Sequence, residues 1–194
     1  MLTSINPLGE RIRGNRWIVT VGWLTLGGIL GGALFGAATG AVGVLVAGFL
    51  SDAARLWILA AALVGAATWD LLDRTFPGRR QVDETWLTMY RSWVYGFGFG
   101  IQLGVGLATV VYTALVPVMM VSMMLVDSIL VATMIGVVFG ATRGFTVLAS
   151  AAVRTPDDLR DLHRRIDEYD VRVRRAGAAV SLGLGVVAAV MVAG

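Results

Sequence analysis

Cysteine is absent from these 194 residues, so the chain has no thiol relay, disulfide or thiolate metal site of its own. Lysine is absent too, and every basic side chain apart from the lone His163 is an arginine. His163 sits in a charged segment with no companion ligands in sequence, which argues against a metal centre. Charged residues make up only 15%, against about 25% in soluble proteins. There is no nucleotide loop, catalytic triad or paired-carboxylate site. The glycines of "YGFGFG" follow no strand, so they carry no nucleotide-binding meaning. No enzymatic activity and no cofactor are expected.

Apolar residues and glycine are what the chain has in excess: 57% hydrophobic residues and 25 glycines, with a mean hydropathy of +0.76. Nearly all charge falls in three clusters, at 10–16, 70–91 and 154–175, separated by blocks with almost none. That is the pattern of a multi-span membrane protein. The net charge of +3 raises nucleic acid as a partner, but the arginines flank apolar spans and no basic patch interleaves with exposed aromatics. The bilayer, and not nucleic acid, is the expected partner. The first apolar run, from Trp17, is too long and glycine-rich for the core of a cleaved leader.

Two glycine ladders mark matching places in the two halves: Gly28, Gly32, Gly36 and Gly40, then Gly96, Gly100 and Gly104. Glycine at every fourth position cuts a smooth groove along a helix, so that a neighbouring backbone can approach closely in lipid. Cutting the apolar blocks at Ser51-Asp52 and Asp127-Ser128 gives spans over 17–48, 54–72, 92–122 and 128–150, with a last span over 175–193. Trp17 and Trp93 lie 76 apart; Asp52 and Asp127, like Gly65 and Gly140, lie 75 apart. These offsets point to a parallel two-helix repeat, 17–72 and 92–150, within a single membrane domain. The expected fold is therefore an all-α polytopic membrane protein of five spans. The arginine clusters put the N-terminus in the cytoplasm of a bacterial-type plasma membrane and the C-terminus outside. A seven-span cut would set 73–91 outside, against that rule.

Residues 155–172 read as a cytoplasmic amphipathic surface helix, capped by Thr155, with Pro156 in its first turn and Leu159, Leu162, Ile166 and Tyr169 forming one apolar stripe. That stripe, and Met119, Met120 and Met123 in the third span, are candidate partner contacts, since methionine adapts to irregular surfaces. Asp52 and Asp127, each preceding a helix, read as caps. The candidate polar site is Gln102 in the second ladder, Arg143 inside the fourth span, and Asp70, which is positioned to pair with Arg143.

The segment "YGFGFGIQLGVGLATVVYTALVP", followed by "SILVATMIGVVFGATRGFTVLASAAV", resembles the fourth and fifth spans of the CcdA/DsbD transmembrane family. "LGGILGGALFGAATGAVGVL" with "ARLWILAAALVGAATWDLL" resembles that family's second and third spans. Such proteins carry reducing equivalents across the membrane through two intramembrane cysteines. Here the first span is unmatched, and no cysteine occurs around Gly106 to Thr109 where the second would fall. The resemblance therefore implies a compact bundle around glycine-rich helices beside a redox or cytochrome-assembly system. The expected role is a non-catalytic accessory or assembly subunit bound to other membrane subunits; the alternative is a small-solute transporter.

Overall fold

A computed structural model describes residues 5–72, 85–106 and 114–193. Every regular element among them is helical: α1 Pro7–Ile12, α2 Trp17–Ala47, α3 Asp52–Leu71, α4 Trp86–Met89, α5 Ser92–Val105, α6 Leu115–Leu125, α7 Ile129–Phe145, a 3₁₀ turn Thr146–Ser150, and α8 Pro156–Ala193. Four stretches are long and apolar enough to cross a membrane: Trp17–Val46, Asp52–Leu71, Ile129–Ser150 and Pro156–Val192.

The chain divides into two compact units. Unit one is Met1–Phe35, Arg79–Val110 and Thr133–Glu168; unit two is Gly36–Gly78, Val111–Ala132 and Tyr169–Gly194. In unit one, α2 meets α5 in parallel. Gly96 lies on the Thr20 carbonyl, Gly100 on Leu24, Gly27 and Gly28, and Gly104 on Gly28 and Gly32. A different side of α2 meets α7 antiparallel, with Thr25 against Gly144, Gly28 against Gly140 and Gly32 against Gly136. A β-carbon at Gly28 would fall 2.7 Å from the Gly140 carbonyl oxygen, so only glycine lets these backbones touch. Around this seam Ile5, Val21, Leu24, Tyr95, Phe99 and Val147 form a buried core, and Trp86 stacks on Phe99 at 5.9 Å.

In unit two, α3 and α6 run antiparallel, tied at one end by Asp70 to the Ala114 amide and at the other by Arg55 to Asp127. Gly40 packs on Ile129 and Ala132, and Gly43 on the carbonyls of Met123, Met124 and Val126. Gly36, the remaining ladder member, is buried.

Three expectations are corrected. The 92–122 span is not one helix among the described residues, because α5 stops at Gly106, whose φ of 74° is the left-handed conformation that glycine tolerates. Residues 107–113, part of that expected span, lie outside the described residues. Second, the surface helix 155–172 and the last span 175–193 are one helix of 38 residues. No proline interrupts its interior, and pairs one turn apart, Asp157–Arg160, Asp161–Arg164 and Asp170–Arg174, stitch its charged half. Third, serines rather than aspartates cap α3 and α7: Ser51 accepts from the Ala54 amide at 3.2 Å and Ser128 from Val131 at 3.4 Å. Asp52 and Asp127 instead flank Arg55, each at 3.6 Å. The Thr155 cap is present, its hydroxyl accepting from the Asp158 amide at 3.2 Å. The matched landmarks Gly65 and Gly140 differ in role: Gly140 abuts Gly28, whereas nothing lies within 4 Å of a β-carbon at Gly65.

The continuity of α8 is open to direct measurement. Spin labels at Arg160→Cys and Leu182→Cys, diluted with unlabelled chain, should lie about 33 Å apart at 1.5 Å per helical residue. A markedly shorter or bimodal distance would mean a break between its charged and apolar halves.

Candidate functional site

The most enclosed polar cluster in unit one is one that the charge pattern did not single out. The Asn6 side chain caps α1 by accepting from the Gly9 amide at 2.7 Å, and Pro7 follows at the first helical position. That short helix presents Glu10 inward, where it is fully buried. Gly14, at φ 73°, then turns the chain into α2. The carboxylate accepts from Thr20 Oγ1 at 2.6 Å, from Arg13 Nη2 at 2.6 Å, and from the Tyr95 hydroxyl, 2.7 Å from each oxygen. Asn15 Nδ2 donates to that hydroxyl at 3.1 Å. The Ser150 hydroxyl lies 3.2 Å from the Ile5 carbonyl, fastening the segment before α1 to the turn after α7.

A buried carboxylate is tolerable only when its lone pairs are occupied and a cation is near, and here both hold. The cluster ties α1, α2 and α5 together. Its signal in the sequence was Tyr95, since a tyrosine hydroxyl in an apolar span requires a partner.

The three polar candidates fall in both units. Gln102 and Arg143 belong to unit one and Asp70 to unit two. Gln102 is half-buried, and its backbone carbonyl closes α5 by accepting from Gly106 at 3.3 Å. Arg143 lies 5.4 Å over the Phe139 ring, and its Nη1 is buried without a hydrogen-bond partner among the described residues. Asp70, 3% exposed, accepts from the Ala114 amide at 2.9 Å and so holds the start of α6. His163 turns Nδ1 to the Leu159 carbonyl at 2.8 Å.

The partner-contact candidates divide. Met123 is fully buried, with its sulfur 3.4 Å from the Thr39 hydroxyl. Met119 and Met120 are half-buried. Met119 lines an apolar groove of about 400 Å³ in unit two, shared with Leu59 and Leu63 of α3, Val118 of α6, and Val187 and Met191 of α8. The hydroxyl lining it, on Ser122, donates to the Met119 carbonyl at 2.7 Å. Leu159 and Leu162 are half-buried, while Ile166 and Tyr169 are exposed.

No family model, curated protein or solved structure matches this chain.

The carboxylate cluster makes a quantitative prediction. Tyr95→Phe should cost about 1–3 kcal/mol, by stranding one acceptor, and Glu10→Ala about 3–5 kcal/mol, by removing the buried carboxylate that Thr20, Arg13 and Tyr95 all bond. In detergent unfolding experiments the double variant should cost less than the sum of the two. Full additivity would show that the two side chains are not coupled.

Proposed function

We propose that the chain is a non-catalytic integral membrane subunit that packs against a larger membrane complex, seating an apolar helix of that complex in the groove between α3, α6 and α8. The groove is the observation that carries this reading. Its walls are aliphatic and thioether side chains, no charged side chain among the described residues lines it, and its serine hydroxyl is already bonded within α6. A cleft so lined accepts apolar surface and has no free polar group to orient a substrate. By its likeness to the CcdA/DsbD family, a redox or cytochrome-biogenesis complex is the setting, with this chain supplying packing rather than thiols.

Topology belongs to the same proposal. We assign five crossings, with α5 and α6 sharing the third, a parallel repeat over 17–72 and 92–150, the N-terminus in the cytoplasm of a bacterial-type plasma membrane and the C-terminus outside. The arginine distribution supports this. So do the helix directions within each unit, α5 parallel to α2 and α6 antiparallel to α3. Thr85→Cys should resist an impermeant maleimide in intact cells and label once the membrane is opened; labelling in intact cells would defeat the assignment.

The chain extracted in mild detergent should migrate with its complex. Met119→Trp and Val187→Trp, which fill the groove, should release it while leaving its own elution unchanged. The buried Nη1 of Arg143, unbonded among the described residues, favours the transporter as a second reading. If purified chain in liposomes moves a solute at a rate that falls with Arg143→Gln or Gln102→Leu, the transporter reading replaces the accessory one.

A further inference from the structure

The helix α8 carries an apolar stripe that is exposed along Ile166, Tyr169 and Val173. Leu159, Leu162, Ile166, Tyr169 and Val173 recur at alternating steps of three and four residues, the a and d positions of a heptad repeat. The alternation continues in register through Ala176, Val180 and Gly183. Ile166, Tyr169 and Val173 are 42%, 53% and 61% exposed. Elsewhere on α8, Ala178, Ser181 and Ala188 are buried, and Gly185 approaches Leu63 and Val64 of α3. Lipid accounts for exposed apolar residues in the spans, but not here. Seven arginines and six acidic residues lie between Arg154 and Arg175, and a segment so charged stands in water.

We propose that this stripe is the seam of a parallel, in-register coiled coil between two copies of the chain. Two copies inserted in one membrane by the same charge rule have α8 running in the same direction, so parallel pairing is the arrangement open to them. Ile166 and Val173 place β-branched residues at a positions, the choice that favours two parallel strands. The flanking charges complement each other in that arrangement. Arg165, at a g position, faces Asp170 of the second copy, at the e position five residues on. Arg165 takes part in no ion pair among the described residues, unlike Arg160, Arg164 and Arg174, which pair within the helix. Asp170 meets Arg174 through Oδ2 alone. An antiparallel pairing would instead bring the g-position arginines, Arg165 and Arg172, toward each other. Arg172 already lies 5.6 Å over the Tyr169 ring, beside the seam. The inference does not rest on the accessory-subunit reading, since a dimeric transporter would use the same seam.

The lack of native cysteine makes the test direct. Full-length chains carrying Ile166→Cys, Val173→Cys or, at an outward f position, Val171→Cys are oxidised in native membranes with copper phenanthroline and run on non-reducing gels. The a-position variants should give a disulfide-linked species of twice the chain mass roughly tenfold faster than Val171→Cys. Arg165→Asp should slow cross-linking at Ile166→Cys, and adding Asp170→Arg should restore it. Unchanged circular dichroism in each variant checks that α8 remains helical. Equal rates at all three positions, no dimer, a product of any other mass, or failure of the charge swap to restore cross-linking would overturn the proposal.

Discussion

Backbone contact at Gly28 is the constraint on which unit one depends. Its peptide lies against both Gly104 and Gly140, so α5 and α7 reach α2 at the same level. In a bilayer, lipid tails are as apolar as leucine, and burial of side chains gives little drive for helices to associate. What remains is close van der Waals contact, which weakens steeply once a gap of even half an ångström opens. Glycine in a water-soluble helix would cost roughly 1 kcal/mol relative to alanine. In a membrane the helix is enforced by the absence of competing water, so that cost is offset.

A seam made of glycines holds helices close, but it is smooth and so specifies rotation and register poorly. The polar groups do that work. Glu10, buried under Thr20, Arg13 and Tyr95, can be satisfied in only one arrangement of α1, α2 and α5. In unit two, Asp70 on the Ala114 amide and Arg55 between Asp52 and Asp127 set α6 against α3 from both ends. The buried Glu10–Arg13 pair contributes little net stability after desolvation, and the exposed aspartates at Arg55 contribute still less, so the plainer role of both is to favour one packing.

The helical class, four helices apolar and long enough to cross a membrane, and the small-residue faces of α2 and α5 are legible because lipid imposes both length and composition. The other half of the seam is written as plainly, since Gly136, Gly140 and Gly144 repeat at the same spacing. Glu10 was hidden among charges read as cytoplasmic anchors, because sequence does not tell that Gly14 turns α1 back to bury it. The burial of Met123 is not legible either: methionine suits both a core and an interface, and its place beside Thr39 comes from the fold. The join of the charged helix to the last span is not legible in the sequence, because composition changes there while the helix continues unbroken. Asp70 carries no mark in the sequence of its bond to the Ala114 amide, because that partner lies 44 residues away.

Thermal unfolding of the purified chain in a single detergent, with one added methyl as the probe, tests the central claim most directly. Gly28 and Gly104 sit where a β-carbon meets backbone, while Gly22 and Gly65 have nothing within 4 Å. Gly28→Ala and Gly104→Ala should each lower Tm by roughly 5 °C or more, as overpacking a closed seam does. Gly22→Ala and Gly65→Ala should leave it unchanged or raise it slightly through better helix propensity. A Gly28→Ala chain as stable as Gly22→Ala would contradict the claim that backbone contact at Gly28 holds these helices together.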